Sequence, residues 1–317
     1  MASVVFGIGT SHSTQVSLTP EWWSEQGEID RTRTPFDELV RKAPDWMPEQ
    51  LTMETFRRKY DQIQTAVAQL RSEIARVAPD VVIVIGDDQH ELFLDDTIPT
   101  FSICWGREVW DLPGPIEHMP PSRQASRWAA HADQPEAYPV ASKLACHVIE
   151  RMMVEGFDVS QFTEQPKGRP LGHAWTFVRR RLLGERPIPI IPVMINTYFP
   201  PNQPTPARCF ALGEALRRAV EAWPGHQRVG IVASGGLSHF VIDEALDRRV
   251  IDGLRIGDKA SLTSIPRAQL QSGSSEILVW IAAGGALQHL RFDLRAYVPG
   301  YRTPAGTGCG MTFATWQ

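Results

Sequence analysis

No apolar run in this sequence approaches the ~20 residues that a membrane-spanning helix needs, so no membrane role is expected. The chain also does not open on a basic region followed by an apolar core. A strand-like stretch, Ser3-Val-Val-Phe-Gly-Ile-Gly9, starts almost at once, and the expected location is cytoplasmic. Cysteine is scarce: Cys104, Cys146, Cys209 and Cys309 form no CxxC pair, which argues against a zinc knuckle or a disulfide framework. They are expected as small hydrophobes in a reducing compartment. Positive charge is not concentrated either. The net charge is −4 and the one dense basic run is Arg179-Arg180-Arg181, expected as the solvated end of a helix. Nucleic acid is therefore not an expected partner. There is no internal repeat or low-complexity linker, and with 43% hydrophobic and 21% charged residues the balance is that of an ordinary globular chain.

What is present is an alternation of apolar runs and amphipathic stretches. Met53, Phe56, Tyr60, Ile63, Val67, Leu70, Ile74 and Val77 recur at three- and four-residue steps, which predicts a long helix with one apolar stripe. Pro79-Asp80 ends it, and Val81-Val-Ile-Val-Ile85 follows as a run apolar on both faces, the mark of a parallel sheet covered on both sides. Further strands are expected at 98–104, from Gly156, at 188–195 and at 229–233, with helices around 140–152 and 207–222. Residues 242–287 look mostly helical, before a Gly-rich tail. Two Pro- and aromatic-containing excursions, 18–50 and 106–136, carry no sustained period. The expectation is an α/β fold: a single three-layer αβα domain over 1–317, with a mostly parallel central sheet and loop-rich insertions, one at about 18–50.

Three times an apolar strand turns on small or acidic residues and delivers a histidine: Gly9-Thr-Ser-His12, Asp87-Asp-Gln-His90 and Gly235-Gly-Leu-Ser-His239. In an open α/β sheet such points lie outside the carboxyl ends of the strands, where ligands bind. Of the nine histidines, His118, His131 and His226 are expected at the surface, and His147 and His289 within helical patterns. That leaves His12, His90, His173 and His239. Two histidines and one carboxylate leave open positions on ferrous iron for substrate and oxygen. Glu276, in the first turn of the apolar stretch Glu276-Ile-Leu-Val-Trp280 and preceded by Gly273-Ser-Ser, is the natural carboxylate. Asp87, Asp88 and Glu91 compete for the role, and Glu276 would equally complement a helix dipole.

Taken in order, these four motifs resemble the class III extradiol ring-cleavage dioxygenases, whose reference member is the catalytic subunit of protocatechuate 4,5-dioxygenase. Ile98-Pro-Thr-Phe101, Asn196-Thr-Tyr-Phe-Pro-Pro201 and Arg208-Cys-Phe-Ala-Leu-Gly213 extend the likeness, from residue 3 to about 310. The resemblance implies that His12, His90 and Glu276 bind Fe(II). It makes His239 an acid–base residue that does not touch the metal, and places His173, in Pro170-Leu-Gly-His-Ala174, in the substrate pocket as a second catalytic histidine. One departure stands out: the family often has Asn-Asp-His where this chain has Asp87-Asp88-Gln89-His90, which leaves the surroundings of His90 open.

The tail Ala296-Tyr-Val-Pro-Gly-Tyr-Arg-Thr-Pro-Ala-Gly-Thr-Gly-Cys-Gly310 is similar to those of gallate and 3-O-methylgallate dioxygenases within this family. On that likeness Tyr301, Arg302, Thr303 and Thr307 would contact substrate, with Arg302 as the cation for an aromatic carboxylate. No extra C-terminal domain of the gallate type is evident, which favours the 3-O-methylgallate type. The resemblance thus implies O2-dependent opening of a catecholic acid, with a 3-O-methylgallate-, gallate- or protocatechuate-like substrate. A homodimer is implied; a small partner subunit is possible but not expected. A zinc-dependent hydrolase on the same fold, or a catalytically silent binding relative, are the alternatives.

Overall fold

The computed structural model describes residues 1–114 and 119–317; His118, expected at the surface, lies outside them. Ten strands are present among the described residues: β1 (Ser3–Thr10), β2 (Val81–Gly86), β3 (Phe101–Cys104), β4 (Glu108–Asp111), β5 (Glu136–Pro139), β6 (Ser160–Phe162), β7 (Ile190–Ile195), β8 (Arg228–Ser234), β9 (Phe292–Pro299) and β10 (Gly310–Trp316). Eight of them form one sheet in the order β6-β3-β7-β2-β8-β1-β10-β9, while β4 and β5 pair apart from it. The centre of the sheet, β7-β2-β8-β1, is parallel. Antiparallel pairings flank it, β3 with β7 on one side and β10 with β1 and β9 on the other.

The apolar pattern explains the layering. Along β2, Ile83 and Ile85 enter one core and Val82 and Val84 the other, so both faces of the strand are buried. The first face is covered by the helices Ser142–Val154, Pro206–Glu221, Glu244–Ile256 and Ile277–Ala286. The second is covered by the 25-residue helix Met53–Val77, which begins where the Thr52 side chain accepts from Thr55 N and ends on left-handed Ala78. Its buried Phe56, Ile63, Val67, Leu70 and Ile74 are the stripe expected from the sequence. The α/β class, the three layers and the mostly parallel sheet agree with that expectation.

Five local expectations are corrected. The strand expected from Gly156 is only β6, three residues at the sheet edge, and the one expected from residue 98 starts at Phe101. The Gly-rich tail is a hairpin-like pair, β9 and β10, that extends the sheet beyond β1. The 18–50 excursion holds the helices Trp23–Asp30 and Phe36–Arg41, anchored where Trp23 packs 5.1 Å from Phe56 and donates to Leu18 O. Arg181 is not a solvated helix end: its guanidinium is buried, donates to Ser17 Oγ and Gln64 Oε1, and lies over Trp128.

Candidate active site

Strands β2, β8 and β1 are neighbours in the sheet and run parallel, so the segments that follow them converge at one edge. His12 follows β1, Asp87 and Gln89 follow β2, and His239 follows β8. Glu276 comes from across the cleft. It ends a 3-10 turn at Ser272–Glu276 and leads into the helix Ile277–Ala286, every residue of which is buried. A helix apolar all round belongs in the middle of a core. This one lies so close to the helix Pro206–Glu221 that a Cβ on Gly213 would fall 1.8 Å from Ala282 O. Trp280 Nε1 donates to Gly235 O, tying the helix to the turn before His239.

The donor atoms of His12, Asp87 and Glu276 all lie within 4.8 Å of one another, and all three residues are buried. His12 Nδ1 is 3.2 Å from Ser234 Oγ, whose hydroxyl donates to Ala174 O at 2.6 Å. Ser234 therefore accepts, His12 carries its proton on Nδ1, and the Nε2 lone pair faces Glu276 Oε2 at 3.3 Å. Burial pulls the imidazole below its ordinary pKa despite the pull of Glu276. Among the described residues His12 Nε2 and Asp87 Oδ1 have no hydrogen-bond partner. A neutral imidazole lone pair facing two carboxylates, which the Gln89 Nε2 bridges through Asp87 Oδ2 (3.3 Å) and Glu276 Oε1 (3.0 Å), suits a divalent cation on the oxygens that Gln89 leaves free, and a buried imidazole oriented by a second partner is a usual metal ligand. Burial, then the charge of Glu276, pushes Asp87 well above the usual carboxylate range, a cost that a bound cation would remove.

Glu276 is held on every side. Its Oε1 accepts from Tyr198 OH at 2.8 Å and Gln89 Nε2 at 3.0 Å, and its Oε2 accepts from Gly236 N at 2.7 Å. His239 Nδ1 donates to Leu237 O, which turns Nε2 into the cavity, 3.1 Å from Glu276 Oε1 and 3.4 Å from Tyr198 OH. Burial opposes a charge on His239, but Glu276 and Cys309 together outweigh it and hold the imidazole well above its ordinary pKa. The ring fits because residue 273 is glycine; a Cβ there would lie 2.1 Å from His239 Cδ2. His173 caps the other wall, its ring 4.6 Å from that of His12. Its Nδ1 lies 2.7 Å from Glu91 Oε2; burial disfavours its charge, yet Glu91 lifts it to about 9.

Not every expected residue arrives here. His90 does not join this cluster: beyond β2 Asp87 and Gln89 turn inward, while His90 sits at φ 60° outside it. Its ring stacks on Phe199 at 3.8 Å and its Nε2 lies 3.2 Å from Asp95. Tyr301 lies away from this cavity: it donates to Glu244 Oε1 and packs against Trp46. Arg302 borders the cavity, but both its Nε (2.8 Å) and Nη2 (2.9 Å) are engaged by Asp30. Thr307 donates to the same carboxylate and pairs with Thr303. His131, expected at the surface, is largely enclosed, with Nδ1 2.9 Å from Asp111 and Nε2 3.4 Å from Glu91. Tyr198 and Gln89 are the site residues that motif reading passed over; Tyr198 stood inside the quoted Asn196–Pro201 stretch. The cavity encloses about 80 Å³. A larger cleft of about 1180 Å³ over Trp105 and Trp110 contains none of these groups.

The sequence profile of the catalytic LigB subunit of aromatic ring-opening dioxygenase matches residues 48–311. The chain belongs to that family. It is 32% identical over 158 residues to a gallate dioxygenase of Pseudomonas putida, covering 45% of each chain. It is 25% identical over 179 residues to a 2,3-dihydroxyphenylpropionate/2,3-dihydroxicinnamic acid 1,2-dioxygenase of Comamonas testosteroni (56% of this chain, 48% of the relative). A Rhodococcus jostii protein of the same name is 28% identical over 184 residues, 56% of this chain and 49% of its own length. The matches thus span about half the length of these relatives. Among the described residues no helix is long and apolar enough to cross a membrane.

Proposed function

We propose that this protein is an Fe(II)-dependent extradiol dioxygenase that opens the ring of a catecholic aromatic acid with O2. A 3-O-methylgallate-, gallate- or protocatechuate-like compound is the substrate. The observation that carries the reading is the unpartnered His12 Nε2 facing two buried carboxylates beside His239, in a chain of the ring-opening family. His12, Asp87 and Glu276 would hold the metal. Ferrous iron so bound supplies open positions for the diol and O2 and a path for electron density between them.

The protein's own groups do the rest. His239 presents Nε2 to the cavity, its proton held by the charge of Glu276; a cation bound at Glu276 would offset that charge, and the neutral imidazole would then accept a phenolic proton and return it later. Tyr198 and Gln89 donate to Glu276 and keep its Oε1 in place. Glu91 fixes the His173 ring so that its other nitrogen faces the site. Enclosure of the cavity keeps bulk water from the developing charge. The enzyme is proposed to act as a homodimer in the cytoplasm without a small partner subunit.

The test is an oxygen-electrode screen of catecholic acids with protein reconstituted with Fe(II) under anaerobic conditions. O2 uptake with formation of a coloured ring-opened product is expected. No uptake with any catechol, together with hydrolytic activity restored by Zn(II), would replace this reading with a hydrolase.

A further inference from the structure

The cleft does not end at the metal cluster. An outer compartment of about 270 Å³ adjoins the inner one, and the two share His12, Gln89, Arg123 and His173 as walls. The outer part is floored by Met119, Ala129, Ala130 and Phe177, an apolar surface fit for an aromatic ring or its substituent. Two guanidiniums reach this cleft without a carboxylate at ion-pair distance among the described residues. Arg33 lies 5.0 Å over the ring of Phe240 at the lip, and Arg123 stands on the shared wall. Arg302, the third arginine here, is neutralised by Asp30, and Arg127 on the outer wall lies 3.4 Å from Asp133. Partial desolvation, then the nearness of Arg33 and Arg302, makes the charge on the exposed Arg123 harder to hold. Like charges gathered at a cavity mouth are stabilised when an anion lies between them.

We propose that Arg33 and Arg123 form an anion clamp across the two compartments that selects catechols bearing an acidic substituent. This rests on the ring-opening reading for the identity of the diol. The substituent's carboxylate is gripped by planar guanidinium forks, which match a carboxylate bidentately. The diol end is then left for the inner compartment. A neutral catechol would leave both cations unpaired, and such a site discriminates strongly against a ligand that lacks the group it was built to pair.

The experiment is an anaerobic titration of the iron-loaded protein with protocatechuate and with catechol, read by calorimetry, for wild type, R33Q, R123Q, R33K and R123K. Each glutamine variant is expected to weaken protocatechuate roughly 10- to 100-fold. Catechol should change less than about threefold, and the lysine variants should recover part of the loss. Equal weakening of both ligands, or unchanged protocatechuate binding in R33Q and R123Q, overturns the clamp. Binding is measured without O2, so the clamp is decided independently of turnover; wild-type O2 uptake with the same two compounds decides the ring-opening reading separately.

Discussion

Gln89, and not its neighbour His90, reaches Glu276: the Gln89 Nε2 lies 3.0 Å from Glu276 Oε1, while His90 stacks on Phe199 with its Nε2 beside Asp95. Asp87, two residues earlier, completes the group with His12. The proposed donor set is therefore one imidazole and two carboxylates, with an amide alongside. Asp87→Ala should lose the bound metal, and His90→Ala should keep it at wild-type stoichiometry. Elemental analysis after anaerobic reconstitution and desalting reads this directly. Full metal retention in Asp87→Ala with loss in His90→Ala would restore His90 as the ligand.

His239 donates its Nδ1 proton to Leu237 O and lies outside the three-residue cluster. Its removal should separate proton transfer from metal binding. His239→Ala should retain iron but lose turnover by about 10²-fold or more, the usual scale for a positioned acid–base group. His12→Ala should lose the iron itself. Single-turnover kinetics alongside metal analysis would expose the opposite pattern.

The strand-end segments were legible because apolar runs bounded by small residues mark parallel strands, and β1, β2 and β8 appear where those runs stand. Glu276 was singled out by the family resemblance, because its place ahead of an all-apolar helix equally suited a helix-dipole role. The choice between Gln89 and His90 was not, because residue type favoured the histidine while the direction of each side chain depends on the backbone beyond Gly86. The pairing of Arg302 with Asp30 was equally hidden: 272 positions separate the two, and only the packing of the 18–50 segment over the tail joins them. An arginine that looked available for substrate is thus committed to holding the fold.

That commitment is measurable. Arg302 and Asp30 are both buried, and Thr307 shares the carboxylate. Asp30→Ala would strand a buried guanidinium and is expected to cost about 3–5 kcal/mol of stability. Urea unfolding of the variant is the check, and a loss below about 1 kcal/mol would mean that water reaches Arg302 freely.

Asp247 supports the turn that carries His239. Its Oδ1 accepts from Ser238 N and its Oδ2 from Ser238 Oγ and Tyr297 OH. Burial is the main cause that raises its pKa to about 6, with those hydrogen bonds pulling the other way. A folded-state pKa above the unfolded value of about 3.9 means that the native state binds this proton more tightly. The resulting stability is fully present below about pH 4 and is lost as the pH rises through about 6, a change on the order of 3 kcal/mol. Asp247→Asn cannot titrate, so wild type should lose that amount relative to the variant between about pH 4 and pH 7. Denaturant unfolding of both proteins at a series of pH values measures the difference. Parallel stability curves across that window would show that Asp247 is already ionised at pH 4 and that its hydrogen bonds, rather than its burial, govern it.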